Sequence, residues 1–136
     1  MTDRRPDRTL RKIDVPFWEH CAAGELRIPM CESCRALQWP VAERCEVCGA
    51  EEFVWTRMSG RGRLRSSCTF ERQYHDECPP PWHVVLIELD EGPLFVSNLD
   101  QEIDDADLDD GMRVDLHFVT CSDAAGTFRL PVFRTT

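Results

Sequence analysis

The feature that most constrains the fold of this chain is a group of four cysteines arranged as two pairs. Two residues separate the cysteines of each pair, and ten residues separate the pairs. Two intervening residues let both thiolates of a tight turn reach one ion, and the ten-residue spacer lets a hairpin bring the second turn opposite the first. The pattern predicts a zinc ribbon with one structural Zn²⁺ per chain, bound by Cys31, Cys34, Cys45 and Cys48.

Two other interpretations of the four cysteines stay open. Two disulfides would suit a secreted chain, but residues 1–12 are charged and lack the apolar region of a signal peptide, which favours a reducing compartment and a metal. Iron is the other alternative, because tetrahedral sulfur ligation suits it too, and the chain would then be a small redox protein. Since four thiolates leave no position open for a substrate, we expect a structural metal rather than a catalytic one.

Composition narrows the class of partner. The 136 residues carry a net charge of −9, whereas nucleic-acid binding draws most of its affinity from neutralised phosphates. No apolar run approaches the roughly 18 residues that cross a bilayer. We therefore expect a cytoplasmic protein that binds neither nucleic acid nor membrane.

The chain divides into four predicted segments. Residues 1–13 form a basic arm that we expect to be disordered, because it is charged and almost without apolar side chains. Residues 14–25 form a short helix between the N-cap Asp14 and the C-terminal Gly24. A helix this short is not stable alone and must dock on something. Residues 26–58 form the zinc ribbon, and residues 59–136 form a β domain.

Five strands are predicted in the β domain. They cover residues 61–70, 82–89, 94–99, 113–119 and 127–133, with one helical turn within residues 104–110. Five short strands with a helical insert between the third and fourth indicate a Greek-key barrel of the OB type. The predicted fold class is therefore mainly β: a short helix and a rubredoxin-like zinc ribbon, followed by a five-stranded OB-fold barrel.

Alternation along the first predicted strand assigns its faces. Leu64, Ser66, Cys68 and Phe70 fall on one face, and Arg63, Arg65, Ser67 and Thr69 fall on the other. We expect the first face to point into the barrel, which makes Cys68 a core residue. His117 falls on the outward face of the fourth strand.

The order of these segments resembles a known family. An aromatic helix (PFWEHCAAGELRIPMC) and the ribbon are followed by SGRGRLRS, VVLIELDEGPLFVSNL, GMRVDLHF and LPVFR. Over residues 15–134 this is similar to the rubredoxin-like zinc-ribbon plus OB-fold proteins, formerly a domain of unknown function. The loop 71–82, rich in histidine, cysteine and proline, varies within that family.

The resemblance implies a non-catalytic accessory subunit. Family members assemble with thiolases, thiolase-like acyltransferases or steroid side-chain aldolases, with two copies expected around a partner dimer. The barrel would hold the acyl-CoA over the partner's active site. The helix and ribbon would help to build the interface, and Phe17 and Trp18 are its candidate residues.

Four arginines are candidates for binding the phosphates of acyl-CoA. Arg61, Arg63 and Arg65 alternate, so they share one strand face, and Arg72 extends the group. Guanidinium groups pair with phosphates through two hydrogen bonds at once. A solvated polar face is the other interpretation of the same residues. If the barrel acted alone, a single-stranded nucleic-acid-binding module would be the alternative function.

No catalytic residue is predicted. A Cys–His pair would need Cys78 within hydrogen-bond reach of a histidine such as His75 or His83, with a third group to orient it. The carboxylates of residues 100–110 lack the apolar surroundings that would raise their pKa values. We therefore expect the partner to carry out the reaction.

Overall fold

A computed structural model describes residues 3–136, so the first two residues of the predicted basic arm lie outside the described part. The helix α1 covers Val15–Ala22, and one-turn 3₁₀ helices lie at Lys12–Asp14 and Asp105–Asp107. The strands are β1 Asp3–Arg4, β2 Arg27–Cys31, β3 Phe53–Arg57, β4 Arg61–Phe70, β5 Trp82–Leu89, β6 Leu94–Asn98, β7 Arg113–Asp123 and β8 Gly126–Thr135.

Strands β4 to β8 form the predicted barrel. Antiparallel pairing joins β6 to β5, β5 to β4, β4 to β7 and β7 to β8. The barrel closes where Leu99, just after β6, bridges Phe133 of β8 in parallel. Near this closure the buried Ser97 hydroxyl donates to the carbonyl of Pro131 at 2.9 Å. The OB-fold prediction is confirmed.

Helix α1 and the ribbon strands form the N-terminal part of the fold. Pro16 lies in the first turn of α1, and Gly24 leaves the helix end with a φ of +80°. Strand β2 pairs antiparallel with β3. Among residues 3–136, no helix combines the length and apolar composition that crossing a bilayer requires.

One core is shared by the helix, the ribbon and the barrel. It comprises Phe17, Cys21, Leu26, Ile28, Met58, Leu64, Val85, Ile87, Leu89, Phe95, Leu99, Val114 and Phe133. Members from α1, β2 and the barrel strands form a single apolar cluster. We therefore expect the ribbon and the barrel to stabilise each other.

A β-bulge at Arg65 corrects the predicted faces of β4. Leu64 pairs with Ile87, but the next pairing joins Ser66 to Leu86, so Arg65 is the extra residue. One extra residue exchanges the two faces for the rest of the strand. Cys68 is consequently exposed, and the prediction that it belongs to the core is wrong.

The described part of the basic arm also differs from its prediction, because it lies on the barrel. Strand β1 pairs in parallel with Cys121 and Ser122 of β7. The arm is further held by Arg8, whose guanidinium binds the buried carboxylate of Asp123. Asp123 lies near the other end of the chain. The composition of the arm therefore gives no sign of this contact.

Candidate metal centre and neighbouring surfaces

The four cysteines lie on two turns with the same backbone geometry. In the first turn, the N–H of Arg35 donates to the carbonyl of Cys31 at 2.8 Å. In the second, the N–H of Gly49 donates to the carbonyl of Cys45 at 2.9 Å. Both donors lie in left-handed backbone, with φ of 64° at Arg35 and 77° at Gly49. Glycine adopts this conformation without strain, and arginine adopts it at a modest energetic cost.

The sulfur atoms converge on one point. All four Sγ atoms lie within 4.8 Å of one another, with 3.5 Å between those of Cys31 and Cys48 and 3.6 Å between those of Cys34 and Cys45. Tetrahedral Zn²⁺ with bonds of about 2.3 Å to sulfur requires sulfur separations of about 3.8 Å. The donor set and its spacing therefore fit one tetrahedral metal ion.

Backbone N–H groups prepare two of the thiols for metal binding. The N–H of Cys34 is the main cause that lowers the pKa of Cys31 to about 7. The N–H of Cys48 likewise lowers the pKa of Cys45. Thiolate is the form that binds metal, so these N–H groups favour the ligand state of Cys31 and Cys45.

The predicted arginine face is present, but its members differ in their contacts. Arg61, Arg63 and Arg65 are all exposed and alternate with the buried Gly62 and Leu64. Arg65 binds Glu88 at 2.9 Å and Asp110 at 3.3 Å, so two carboxylates neutralise it.

Among residues 3–136, no carboxylate forms an ion pair with Arg63 or with Arg72. Arg63 donates to the carbonyl of Gly111 at 3.0 Å. Arg72, in the loop after β4, lies 5.6 Å from the ring of Tyr74. These two arginines keep their charge available for an anion.

The aromatic residues of α1 serve the chain's own packing. Phe17 is 5% exposed, with its ring centroid 4.8 Å from that of Trp39. The half-buried Trp18 meets Phe128 edge-on, with 5.4 Å between centroids. This corrects the interface prediction for Phe17, because burial in the shared core leaves its side chain no surface to offer. The spacing of apolar residues in so short a helix does not indicate whether they pack against the chain's own core or against a partner.

An apolar groove between α1 and the ribbon offers a surface instead. It encloses about 290 Å³ and is lined by Ile13, Pro16, Pro29, Val41, Ala42, Phe53 and Trp55, with Glu43 and Glu51 among them. The sequence signal for it was the pair of aromatic residues at alternate positions of β3. Sequence reasoning missed the groove because its lining comes from four separate segments.

The candidate nucleophile Cys78 lies in the loop between β4 and β5. The N–H of Cys78 donates to the carbonyl of His75 at 3.2 Å, which is a backbone contact. The half-buried thiol lines a cavity of about 280 Å³ together with Arg4, Arg5 and Trp82. In residues 3–136, no hydrogen bond joins this thiol to a histidine ring.

A second polar cluster, which sequence reasoning missed, joins Thr69, His83 and Asp105. The bulge at Arg65 changes the face of β4 on which Thr69 lies, and Thr69 pairs with His83 of β5 across the sheet. The Thr69 hydroxyl lies 2.8 Å from His83 Nδ1 and donates to the carboxylate of Asp105. His83 lines a cavity of about 460 Å³ at this end of the barrel.

Two family models match adjoining parts of the chain. The model described as ChsH2, rubredoxin-like zinc ribbon domain, matches residues 18–54. The model described as ChsH2, C-terminal OB-fold domain, matches residues 55–119. The two regions correspond to the four-cysteine turns and to most of the barrel.

A curated relative and two solved structures are similar to this chain. A Thermomonospora curvata protein named probable enoyl-CoA hydratase alpha subunit is 28% identical over 130 residues, which cover 96% of this chain and 40% of that protein. A chain of a structure described as Ltp2-ChsH2(DUF35) aldolase is 28% identical, with a TM-score of 0.84 over 95% of this chain and 98% of that one. A Sulfolobus solfataricus protein of unknown function from the DUF35 family shares the fold, with 11% identity and a TM-score of 0.61 over 90% of this chain and 84% of that one.

The extent of these matches differs. This chain spans about two fifths of the length of the hydratase relative, whereas it matches nearly the whole of the chain from the aldolase structure. Zinc-ribbon and OB-fold matches follow each other without a gap, in the order in which the structure has the two parts. The chain therefore belongs to the ChsH2 family, whose members join a rubredoxin-like zinc ribbon to a C-terminal OB-fold domain.

Proposed function

We propose that this chain is a non-catalytic accessory subunit of a thiolase-superfamily enzyme and helps to hold that enzyme's acyl-CoA substrate. The partner would be a thiolase, an acyltransferase or a side-chain aldolase. The observation that carries the proposal is the end-to-end match, at a TM-score of 0.84, with a chain of a structure described as an Ltp2-ChsH2 aldolase. A subunit of that kind has no need of a reaction centre of its own.

The metal in this proposal is a structural Zn²⁺. Four thiolates would occupy every position of a tetrahedral ion, so no substrate could bind to it. Its role is to hold the two turns of the ribbon together, since the segment between β2 and β3 has little other regular structure. The reduced thiols also suit the cytoplasm, where we place the protein.

The partner surface that we propose is the apolar groove between α1 and the ribbon. The groove is lined by apolar side chains of α1 and the ribbon, among them the aromatic Phe53 and Trp55. Apolar and aromatic side chains are typical of the centre of an interface. The acidic Glu43 and Glu51 would favour a partner surface that carries basic residues. Two copies of the chain would flank a partner dimer.

The acyl-CoA surface that we propose is the arginine face of the barrel. Arg61, Arg63 and Arg72 would bind phosphate groups directly, because guanidinium pairs with phosphate through two hydrogen bonds. Arg65 would contribute less, since Glu88 and Asp110 already occupy it.

Co-purification from native cell extract tests the accessory role. The tagged chain is captured and the eluted proteins are identified by mass spectrometry. A thiolase-superfamily protein at a fixed ratio to the tagged chain is the expected result. Elution of the chain alone, or with RNA, would contradict the proposal, and RNA would favour a nucleic-acid-binding module.

Two variants that each add one negative charge test whether the groove is the surface that binds the partner. Ala42→Glu places a carboxylate inside the proposed groove, and Val47→Glu places one on a side chain that is 74% exposed and outside it. The first should reduce capture of the partner strongly and the second should leave it unchanged. Equal capture by both variants would remove the groove from the interface.

A further inference from the structure

The imidazole of His83 is held in one orientation by two neighbours. Thr69 lies directly opposite His83 on the adjacent strand, with its hydroxyl oxygen 2.8 Å from Nδ1. The carboxylate of Asp105, in the 3₁₀ helix Asp105–Asp107, lies 3.3 Å from the same nitrogen. Both contacts are made with Nδ1, so the other ring nitrogen, Nε2, is left to face elsewhere.

The hydrogen bonds also fix which ring nitrogen carries the proton. The Thr69 hydroxyl donates its hydrogen to the carboxylate of Asp105, so its oxygen must accept one from His83. The Nδ1 atom is therefore the protonated nitrogen of the neutral ring. Nε2 then carries a lone pair and is a hydrogen-bond acceptor.

The His83 side chain is 13% exposed, and the space beside it is the cavity of about 460 Å³. Pro81 and Ile103 form its apolar wall. Gln101 also lines it, but both ends of its amide are occupied by Thr135, at 2.9 Å and 2.8 Å. Among residues 3–136, no side chain makes a hydrogen bond with Nε2 of His83, so this lining residue has a neutral polar atom without a partner.

The charges around the cavity select against anions. Glu102 and Asp104 line it, and Asp105 lies behind His83. These three carboxylates would repel the phosphates of a CoA thioester, which fit the arginine face better. The part of such a ligand that suits this cavity is its uncharged acyl group.

We propose that this cavity is a subsite for an acyl group that carries a hydroxyl, and that this hydroxyl donates a hydrogen bond to Nε2 of His83. The proposal rests on the proposed function, because the acyl group is taken to belong to an acyl-CoA. His83 serves here as a binding residue that selects hydroxylated acyl chains. Thr69 and Asp105 are positioning residues, because they act through the orientation and protonation of the ring.

The first test examines the ring itself in the free chain. Nitrogen-15 NMR distinguishes protonated from unprotonated imidazole nitrogens, and His83 should show a proton on Nδ1 and none on Nε2 at neutral pH. Thr69→Val should change this distribution, whereas the exposed His117 should keep its own distribution in that variant. A proton found on Nε2 of His83 in the unmodified chain would overturn the proposal.

The second test measures ligand selection in the complex captured with its partner. The probes are octanoyl-CoA and octanoyl-CoA with a hydroxyl at carbon 3 or carbon 8, titrated by calorimetry. At least one hydroxylated probe should bind about three- to tenfold more tightly than octanoyl-CoA, the range that one net hydrogen bond provides.

Variants separate selection from folding. His83→Phe should lose the preference while binding octanoyl-CoA as before, and His83→Gln, which keeps an acceptor oxygen, should retain part of it. His117→Phe is the matched control and should behave as the unmodified chain. Retention of the full preference by His83→Phe, with normal thermal unfolding, would overturn the subsite.

The outcomes also distinguish the subsite from the accessory role. A complex that binds all three probes equally would overturn the subsite and leave the accessory role in place. A complex that binds none of them would overturn both the subsite and the proposed role in holding acyl-CoA. Failure of the chain to capture any partner would contradict the accessory role by itself, whatever the NMR result.

Discussion

Arg8 and Asp123 form a buried ion pair although they lie 115 positions apart in the sequence. Their closest atoms are 2.7 Å apart, and the Asp123 side chain is 1% exposed. The Arg8 guanidinium also covers the rings of Phe128 and Trp18, at 3.8 Å and 4.8 Å from their centroids. One side chain of the arm thus contacts both the barrel and helix α1.

Removing this guanidinium should destabilise the chain. Arg8→Met keeps most of the packing but leaves the Asp123 carboxylate buried without its partner, which we expect to cost about 3 kcal/mol of the free energy of unfolding. Denaturant unfolding measures this change. Arg11→Met removes a more exposed pair, with Asp14, and should cost much less. Equal losses in the two variants would contradict the importance of the buried pair.

The same pair gives the stability a pH dependence. The hydrogen bond from Arg8 is the main cause that lowers the pKa of Asp123 to about 2, below its usual 3.8. A lowered pKa in the folded state adds stability above the unfolded value, and this is lost as the pH falls from about 4 toward 2. Stability measured across this range should fall less steeply in Asp123→Asn. The same slope in both proteins would show that other carboxylates cause the loss.

Loss of one zinc ligand should affect more than the ribbon. Cys45→Ser removes a thiolate from the cluster, and the ribbon contributes Ile28 of β2 and the preceding Leu26 to the core that it shares with the barrel. We expect the variant to bind no zinc and its barrel to melt at a lower temperature. Metal analysis and circular dichroism measure the two effects. The matched control is Cys68→Ser, which removes an exposed thiol outside the cluster and should keep one zinc per chain.

The identity of the metal has its own optical test. The protein as purified should be colourless and contain zinc, because zinc–thiolate sites do not absorb visible light. Visible absorption together with stoichiometric iron would establish the redox interpretation instead.

Thiol labelling should reveal the bulge in β4. Cys68 is exposed, so a maleimide should modify it in the native protein. Cys21 and Cys121 are fully buried, and burial raises the pKa of Cys21 to about 12, so both should react only after unfolding. Mass spectrometry of peptides from the labelled protein gives the order in which the cysteines react. A protected Cys68 would mean that β4 keeps the regular alternation.

Gly62 should be intolerant of any side chain. A Cβ atom there would lie 2.6 Å from the carbonyl oxygen of Glu88 and 2.8 Å from a methyl carbon of Ile87. Gly62→Ala would have to move strand β5, and we expect a loss of about 1–3 kcal/mol in the free energy of unfolding. Ser66→Ala, at an exposed position of the same strand, should be nearly neutral. Thermal unfolding of both variants provides the comparison.

Charge reversal on the arginine face tests the proposed acyl-CoA surface. Arg63→Glu should weaken binding of CoA to the captured complex by about tenfold or more, because it replaces attraction to phosphate with repulsion. Arg134→Glu is a control elsewhere in the barrel, at an arginine of β8 that is paired with Asp100. Calorimetry gives the affinities. Unchanged affinity in Arg63→Glu, with assembly intact, would remove this face from the CoA site.

Much of the fold follows from patterns that are local in the sequence. The cysteine spacing predicts the four-cysteine cluster of the ribbon. Alternation and turn residues predict the five barrel strands. Each of these signals depends on residues within a few positions of one another, where backbone conformation and side-chain direction are linked directly.

Other features of the site could not be predicted in this way. Phe17 has the same apolar character whether it meets a partner or its own core, and only the position of α1 against the barrel decides between them. The faces of Cys68 and Thr69 depend on one extra residue in β4, which the pairing with β5 determines. A pattern of alternation carries no information about such an insertion.

The sequence by itself determined the four-cysteine cluster, the order of the elements and the type of barrel, because short-range spacing and hydrophobic alternation specify them. Only the tertiary structure decided that Arg8 meets Asp123, that Thr69 and Asp105 orient His83, and that separate segments line one apolar groove. These contacts join residues far apart in the chain. Their geometry depends on how the packed elements lie against one another, which no local pattern encodes.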